Sequence, residues 1–459
     1  MIETQAKVSI DRVVGQLGGL TDGPRIFGSV LSGRSVGIVT VQGTFTPDIV
    51  GRALHNLLSI MTPKLRRRAI EALSDFAIET PSWGFADTGT RFGKFFQDAS
   101  AIDLGDKLSD AGHVHALTGC CPTVAVHVLW DFKTGEDPKA VARLARKHGV
   151  KIGSINPNLF QDQEYKWGSF GHNDPAVRQR ALDHCLDSVA IMQATGSEYL
   201  SLWFADGTNY PGQASIRARK GYFEECLKAL HKEIGPKQTM LVEYKPFEPA
   251  FYATDVADWG MSYLLSKKAG PRAKVLVDTG HHYAAQNIEQ IVAWLLDEDM
   301  LGGFHFNDRR YADDDLTLGS IDPYQVFRIF HEIHFFAADR GRAPKIAYMI
   351  DQSHNEKPKI EATIQTVIMA QELFAKAALV DHDALRRAQA KNNVVDAELE
   401  LKKAFFTDVS PALAAWRKAN KLAADPLAEH RRSGYQKAAA ADRRARRQAL
   451  GIKQGGGYA

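Results

Sequence analysis

The fold is decided by residues 273–308, AKVLVDTGHHYAAQNIEQIVAWLLDEDMLGGFHFND. This stretch begins and ends with short apolar segments of β-like composition, AKVLVDTGHH (273–282) and GGFHFND (302–308). Between them, NIEQIVAWLLDEDM (287–300) has the apolar spacing of an amphipathic helix. The stretch therefore predicts a strand, a helix and a second strand in succession, which is the repeating unit of a parallel α/β sheet.

The same alternation extends in both directions from this stretch. The other strand candidates are FAIETPSWG (76–84), TVAVHVLWD (123–131), KIGSINPNLF (151–160), YLSLWFADG (199–207), TMLVEYKP (239–246) and KIAYMIDQSH (345–354). Helical patterns separate them, with Asp, Asn or Pro near several starts and Gly near several ends. Eight such units predict a parallel (β/α)8 TIM barrel over residues 74–360, which would be the catalytic domain. An open doubly wound sheet is the alternative, but no GxGxxG motif follows the first strand.

The two ends of the chain lie outside this alternation. Residues 1–73 contain an extended run, SVGIVTVQGTF (35–45), and a helical run (48–73), and we interpret them as an N-terminal extension that packs outside the barrel. Residues 361–459 are helical, rich in Ala and, near their end, in Arg. We interpret this C-terminal extension as a solvated helix with a frayed tail, or as an arm that clasps another subunit, in preference to a nucleic-acid arm.

The composition is that of an ordinary globular protein. The chain has 57 Lys and Arg against 54 Asp and Glu, a net charge of +3 and 44% hydrophobic residues, which indicates neither a nucleic-acid nor a membrane partner. No uncharged apolar run approaches the roughly 20 residues that a bilayer span requires. The four cysteines show no metal-ligand spacing, and the N-terminus lacks an apolar signal core. We therefore expect a cytoplasmic protein.

Carboxylates and imidazoles follow the last four predicted strands directly. In a parallel barrel the C-terminal ends of the strands form the active face, and buried carboxylates repel one another unless a cation compensates them. Oxygen ligands with some imidazole suit Mg²⁺, Mn²⁺ or Co²⁺. The predicted ligands are Glu243, Asp278, His281, His305, Asp313, Asp315 and Asp351.

The charges of this set favour two metal ions over one. Five carboxylates carry −5, two divalent cations bring +4, and Lys245 adds +1, so the charges of the site balance with two metals. One metal would leave an excess of negative charge in a pocket of low dielectric constant. The structural alternative for any single strand-end Asp is a helix N-cap. Four acids and imidazoles together, at adjacent strand ends, favour metal ligands.

The remaining strand ends supply mainly aromatic residues. A single buried Trp usually belongs to a hydrophobic core, but several aromatic rings around a cation site would offer flat apolar surfaces to the C–H faces of a sugar. The predicted substrate-contacting residues are Trp83, His127, Trp130, Phe160 and Trp203, together with Lys245.

At these residues the sequence resembles the L-rhamnose isomerase family, in the form that includes bacterial broad-specificity sugar isomerases. The resemblance lies in PSWGFADTGTRF, HVLWD, LWFADGTNYPGQ, VEYKPFEPAFYATDVADWG, VDTGHH, GGFHFNDRRYADDDL and MIDQSHN. It implies a (β/α)8 barrel, usually a homotetramer, that interconverts aldoses and ketoses with Mn²⁺ or a related ion. Each subunit would hold two such ions, with Co²⁺ and Mg²⁺ as alternatives to Mn²⁺.

The resemblance also implies roles for individual residues. A metal that holds substrate hydroxyls would take Glu243, Asp278, His305 and Asp351, and a catalytic metal would take His281, Asp313 and Asp315. The catalytic residues would be Lys245, His127, Asp315 and Ser353, and a neighbouring subunit would lend Phe92 to the pocket. The expected reaction is an aldose–ketose isomerisation of L-rhamnose or a related aldose by a two-metal-assisted 1,2-hydride shift, after ring opening that His127 assists.

Three other functions remain as alternatives at this stage. A metal-dependent sugar epimerase on the same barrel would need two opposed carboxylates around a single metal. A trinuclear metal phosphodiesterase would need more histidine ligands and a basic groove, which the acidic run at 313–315 opposes. A sugar-binding protein whose metals only shape the pocket would not need Lys245 or a second set of ligands.

Overall fold

A computed structural model describes residues 25–32, 35–42, 61–90, 93–246, 254–310 and 312–452. Its strands are β1 (Arg25–Ser32), β2 (Ser35–Gln42), β3 (Thr80–Pro81), β4 (Thr88–Thr90), β5 (Gly93–Phe95), β6 (Thr123–His127), β7 (Lys151–Asn156), β8 (Tyr199–Leu202), β9 (Thr239–Glu243), β10 (Ala273–Asp278), β11 (Leu301–Phe306) and β12 (Ala347–Ile350). Its α-helices are α1 (Pro63–Asp75), α2 (Leu104–Thr118), α3 (Val128–Asp131), α4 (Pro138–Lys147), α5 (Pro175–Thr195), α6 (Ile216–Glu233), α7 (Trp259–Ala269), α8 (Ile288–Asp297), α9 (Pro323–Arg340), α10 (Lys359–Ala377), α11 (His382–Ala390), α12 (Val394–Phe405), α13 (Ser410–Ala419), α14 (Pro426–Ser433) and α15 (Tyr435–Ala449).

Eight parallel strands form the predicted barrel. Their spatial order is β3, β6, β7, β8, β9, β10, β11 and β12. The first and last strands meet at a parallel bridge between Glu79 and Met349. There the Glu79 N–H donates to the Tyr348 carbonyl at 2.8 Å, and the Ile350 N–H donates to the Glu79 carbonyl at 2.9 Å. The prediction of a TIM barrel with a helical C-terminal extension is confirmed.

Strand register brings the predicted ligands to one end of the barrel. Asp278, the last residue of β10, pairs with His305 of β11. Glu243, the last residue of β9, pairs with Leu276 of β10. Because successive side chains on a strand point to opposite faces, residues at paired or alternate positions lie on the same face. Three ligands from three neighbouring strands therefore face the barrel interior at the C-terminal end.

The strands end earlier than the sequence predicts. The sequence predicts one strand over TVAVHVLWD (123–131), but β6 stops at His127 and the following four residues form the short helix α3. Asp131 accounts for this ending, because its Oδ2 accepts the His127 N–H at 2.9 Å. Its other oxygen accepts a hydrogen bond from the buried Lys107 ammonium at 2.5 Å.

The barrel helices begin at capping side chains. In each case an oxygen of the side chain accepts a backbone N–H of the first turn, which would otherwise lack a partner. The caps of α2 and of α4 to α9 are Asp103, Asp137, Asp174, Ser215, Asp258, Asn287 and Asp322. Acidic and amide residues between the apolar runs therefore mark where the helices start.

Gly112 allows α2 to pack closely against the end of α4. A Cβ at this position would lie 2.1 Å from the carbonyl oxygen of His148, which is backbone and cannot rotate away. We expect Gly112→Ala to lower the free energy of unfolding by about 1–3 kcal/mol. Gly221 in α6 has open space around its Cβ position, so Gly221→Ala should raise stability by about 0.5–1 kcal/mol. Urea unfolding of both variants tests this, and equal midpoints would contradict it.

The chain divides into two compact units. The first contains Asp75–Leu373 and the residues from Arg417 onward, and the second contains Phe374–Trp416 and the described residues before Asp75. β2 and α1 confirm the extended and helical character predicted for parts of residues 35–73. The predicted position of this extension outside the barrel, and the predicted domain boundaries, stay predictions. Within the described part of the chain, no helix has both the length and the apolar character needed to cross a bilayer.

Two arginines of the last helix, α15, depart from the solvated helix that its composition suggests. Arg443, only 3% exposed, donates to both carboxylate oxygens of Asp110 at 2.7 and 2.9 Å. Arg447 is 5% exposed and donates to Asp87 at 2.9 Å. The interpretation of a solvated arginine-rich helix is wrong for these residues. Each of them pairs with an acid near the first barrel helix, a pairing that composition alone cannot show.

Candidate metal centre and substrate pocket

Four predicted ligands form a first group at the ends of β9 to β12. Glu243, Asp278, His305 and Asp351 each offer a ligand atom, and these atoms all lie within 4.8 Å of one another. Nδ1 of His305 is 3.2 Å from Glu243 Oε1, 3.8 Å from Asp351 Oδ2 and 3.9 Å from Asp278 Oδ2. Two ligands about 2.1 Å from one cation and at right angles to each other are about 3 Å apart. The group therefore has the spacing of a coordination shell.

A second group shares Asp278 with the first. Asp278, His281 and Asp313 also place ligand atoms within 4.8 Å of one another. His281 Nε2 is 3.3 Å from Asp313 Oδ2, and its Nδ1 lies 2.9 Å from the Tyr244 carbonyl. A carbonyl oxygen only accepts hydrogen bonds. When the His281 ring is neutral, its proton is therefore on Nδ1, and Nε2 is the nitrogen that faces the acids. The shared carboxylate makes the two groups neighbours.

The residues present fit divalent cations. Asp278 is fully buried, yet within the described residues no hydrogen-bond donor reaches its Oδ2, and the same is true of Oδ1 of Asp313. A buried carboxylate oxygen without a partner carries a large desolvation cost. A cation bound between the groups would remove that cost. The donor set is carboxylate and imidazole with no thiolate, as hard divalent ions prefer.

The pKa values in the cluster show how strongly it attracts positive charge. Burial opposes protonation of His305, but Glu243, Asp351 and Asp278 raise its pKa to about 10. Burial likewise opposes protonation of His281, and Asp278 and Asp313 raise its pKa to about 9. Burial raises the pKa of Asp278 to about 7 against the effect of His281. Without bound cations, the carboxylates therefore keep both imidazoles protonated.

Asp315 lies beside both groups but belongs to neither. Burial, followed by the charges of Asp313, Asp351 and Asp278, raises its pKa well above the ordinary value. Its backbone has a φ of 48°, a left-handed conformation that is uncommon for residues other than glycine. Asp315 therefore remains a predicted ligand, close enough to interact electrostatically with the grouped atoms.

Lys245 connects the two ligand groups to the aromatic residues. Its Nζ donates to Asp313 Oδ2 at 2.6 Å and stands 5.6 Å from the centre of the Trp203 ring. Burial would lower the pKa of Lys245, but Asp313, Asp315 and Asp278 raise it above the ordinary value. The ammonium is therefore charged, and it lies where the cluster meets the predicted substrate surface.

The predicted aromatic residues do come together. His127 packs against Trp83 and Trp130, with ring centres 4.8 and 4.1 Å apart, and Phe160 lies 4.9 Å from Trp203. These five side chains are called the aromatic pocket below. Burial, with the charges of His305 and Lys107, lowers the pKa of His127 to about 3, so its ring is neutral at physiological pH.

The structure adds a role for Trp83 that sequence did not indicate. Its indole N–H donates to Asp351 Oδ1 at 2.8 Å and so orients a member of the first ligand group. Ser353, two residues after Asp351, has a buried hydroxyl without a hydrogen-bond partner in the described part of the chain. Phe92 lies outside the described residues, so its predicted role stays a prediction.

Two other supporting residues were also missed. Asn307 donates to Asp278 Oδ1 at 3.0 Å, and Tyr244 supplies the carbonyl that fixes the His281 ring. Asn307 follows β11 within the polar run of residues 307–310, so its position after a strand was a usable signal. The contribution of Tyr244 comes from its backbone, which leaves no trace in the residue type.

Comparisons with known proteins agree with this geometry. The sequence profile of the xylose isomerase-like TIM barrel family matches residues 123–339. The probable sugar isomerase of Mesorhizobium japonicum is 39% identical over 391 residues, which cover 83% of this chain and 90% of that protein. A probable sugar isomerase of Rhizobium meliloti is 38% identical with the same coverage. The chain belongs to the xylose isomerase-like TIM barrel family. The xylose isomerase of Thermus thermophilus is a more distant relative, 27% identical over 183 residues, 38% of this chain and 46% of that protein.

The relatives confirm the broader predictions about this protein, but not the narrower ones. The prediction of an enzyme of the sugar isomerase type is confirmed by the two relatives that match across most of both chains. The predicted acidic and histidine cluster is present at the active face of the barrel. The narrower resemblance to L-rhamnose isomerase, the identity of the metal and the oligomeric state stay predictions.

Proposed function

We propose that this protein is a metal-dependent aldose–ketose isomerase that acts on L-rhamnose or a related aldose. It would use two divalent ions per subunit, Mn²⁺ in the first place, and function as a cytoplasmic homotetramer. One observation carries the proposal: two ligand groups share Asp278, and Lys245 and the aromatic pocket lie beside them. A single metal bound only for structure would need neither the second group nor a charged lysine between the metal and the substrate surface.

Each of the two ligand groups would hold one of the two metals. Glu243, Asp278, His305 and Asp351 would hold the first, and His281 and Asp313, with Asp278 and Asp315 alongside, would hold the second. When bound, the ions would supply Lewis-acid chemistry, polarising the oxygens on the two carbons between which hydrogen moves. The remaining steps depend on side chains of the protein itself.

Lys245 and His127 would handle charge and protons on the sugar. The Lys245 ammonium, 2.6 Å from Asp313, can donate to the sugar oxygen at C1 and stabilise negative charge there as the carbonyl changes place. The neutral His127 ring would accept the proton of the anomeric O1 hydroxyl and deliver a proton to the ring oxygen as the bond between C1 and the ring oxygen breaks. The apolar faces of Trp83, Phe160 and Trp203 would pack against the C–H groups of the sugar and limit access of water.

A panel of aldoses tests the proposed function. The full chain, supplied with Mn²⁺, is incubated with L-rhamnose, L-mannose, L-lyxose, D-allose and D-ribose, and ketose is measured by chromatography. We expect ketose from at least one aldose, and no ketose from protein stripped of metal with a chelator. Products that differ from the substrate only in configuration at one carbon would indicate an epimerase. Binding without turnover would indicate a sugar-binding protein.

Deuterium at C2 of the substrate distinguishes two routes of isomerisation. The four carboxylates of the two groups are all assigned to the proposed metals; Asp313 is also bonded to Lys245, and the other three lie within 3.9 Å of His305. No carboxylate of these groups is left as a free base, so we expect a direct hydride shift from C2 to C1. Deuterium should therefore remain on C1 of the product. Its loss to solvent, measured by mass spectrometry, would instead show an enediol route.

His127→Gln tests the assignment of ring opening. The neutral ring of His127 is in contact with Trp83 and Trp130, so the variant should keep the pocket and lose the proton carrier. We expect kcat for a slowly opening aldose to fall about 10²-fold or more, as for loss of a general acid or base. Turnover of an aldose that opens rapidly should change much less. Equal losses for both substrates would show that His127 does not act in ring opening.

A further inference from the structure

We propose that Arg309 is a positioning residue that holds the segment 279–283 against the start of the acidic loop and so sets the cation affinity of the second ligand group. This inference rests on the proposed function, because it concerns the second of the two metals. His281 is the member of the group that lies within this segment, and Asp313 lies four residues after Arg309. A single buried side chain would thus connect the two loops whose ligands must meet.

The hydrogen bonds of Arg309 carry the inference. Its side chain is nearly buried, at 8% exposure. Nε donates to the His282 carbonyl at 2.8 Å, Nη2 to the Tyr283 carbonyl at 3.0 Å and Nη1 to the Thr279 carbonyl at 3.2 Å. These three carbonyls lie on both sides of His281 in the chain. The planar guanidinium can satisfy all three at once, which a lysine ammonium on a flexible stem cannot do with the same geometry.

The backbone of Arg309 is itself held in place by hydrogen bonds. Its N–H donates to the Asp308 side chain at 2.9 Å. Asp308 also pairs with Leu316 through two backbone hydrogen bonds of 3.0 and 2.9 Å, which close the loop that carries Asp313. The other oxygen of Asp308 accepts the backbone N–H groups of Ile321 and Asp322. The backbone of Arg309 is therefore held in place, and its side chain fixes the segment 279–283 relative to the loop that carries Asp313.

The choice of partners argues against a purely electrostatic role. A buried arginine whose task is to neutralise the acidic cluster would be expected to contact a carboxylate directly. The hydrogen bonds described for this guanidinium go instead to three backbone carbonyls and, at 3.5 Å, to the amide oxygen of Gln325. Supporting residues of this kind orient ligands, and their loss typically lowers metal affinity about 10–100-fold.

The test is a Mn²⁺ titration of the metal-stripped full chain, followed by electron paramagnetic resonance. The wild type should show two classes of site. In Arg309→Met we expect the class assigned to the second ligand group to lose affinity at least 10-fold, while the class assigned to the first ligand group changes less than 3-fold. Arg309→Lys keeps the charge and should be intermediate. Arg310→Met is the matched control, because it removes the same charge from the neighbouring exposed residue and should behave as the wild type.

The outcomes distinguish a positioning role of Arg309 from an effect of its charge. Unchanged affinity of the second class in Arg309→Met would overturn the positioning role while leaving the two-metal proposal intact. Equal weakening in Arg309→Met and Arg310→Met would show that charge, not position, matters. If Arg309→Met does not fold, Arg309→Lys decides alone: two classes with wild-type affinities would overturn the inference. A wild type that binds only one Mn²⁺ per chain would remove the proposed function first, and this inference with it.

Discussion

Asp278→Asn is expected to abolish tight binding at both metal positions and to lower turnover about 10³–10⁴-fold or more, because Lewis-acid stabilisation is worth several kcal/mol. The effect should be this large because Asp278 belongs to both ligand groups. Its Oδ1 already accepts hydrogen bonds from Gly280 N–H at 2.6 Å and from Asn307 at 3.0 Å. An asparagine can keep both of these bonds with its carbonyl oxygen. The substitution therefore removes mainly Oδ2, which has no hydrogen-bond donor among the described residues and which the cations would need.

Stability measurements separate this effect from misfolding. Burial raises the pKa of Asp278 to about 7, so ionisation of this carboxyl at higher pH destabilises the metal-free protein, and the metal-free Asp278→Asn variant should melt at the wild-type temperature or above it. The rise in melting temperature that Mn²⁺ gives the wild type should be lost. Asp314→Asn serves as the control, since Asp314 is exposed and one residue from a predicted ligand. Two tightly bound Mn²⁺ ions in Asp278→Asn would show that the groups are not joined through this residue.

The barrel and its ligand face could be predicted because both depend on local patterns. The strand–helix–strand stretch at 273–308 appears in the structure as β10, α8 and β11. Parallel strands bring their C-terminal ends to one edge, so an acid or histidine that ends a predicted strand has a predictable location. Asp278 and His305, on successive strands of this stretch, occupy paired positions for this reason.

The predictions failed where a tertiary contact decides local structure. The β6 strand stops at His127 because the Asp131 carboxylate, held by Lys107 from another element, accepts its N–H. Arg443 and Arg447 of α15 are buried, and the acids that face them lie more than 300 residues earlier, as with Arg443 and Asp110. Neither partner is identifiable from spacing. A pattern can mark the candidate residue, but the identity of its partner depends on the folded chain.

In the candidate site, too, some residues could be predicted from the sequence and others could not. The acids and histidines were found because their chemistry is restricted to a few residue types. The residues that orient them were not, because they act through a backbone carbonyl in Tyr244 or through an indole N–H in Trp83. An indole in a sequence predicts apolar contact first. Only the 2.8 Å hydrogen bond to Asp351 shows that Trp83 also contacts a member of the first ligand group.

Lys245→Met is expected to lower kcat about 10²–10³-fold, as for the loss of one donor to a developing oxyanion, without weakening the binding of Mn²⁺. The Lys245 ammonium is buried. It is bonded to Asp313 of the second ligand group on one side and faces the Trp203 ring on the other. Removing a positive charge from a site with five carboxylates makes that site more negative, so affinity for cations should stay the same or increase.

The opposite directions of these two effects make the assignment of Lys245 testable. A lysine that only maintained the structure of the metal site would, when removed, lower metal affinity and turnover together. A lysine that acts on the substrate lowers kcat alone. Lys274→Met is a suitable control, since Lys274 pairs with Asp299 near the other end of β10 and should affect neither quantity. If Lys245→Met lost Mn²⁺ in proportion to turnover, Lys245 would be a supporting residue of the second ligand group, and the donor to the sugar oxygen would have to be another residue.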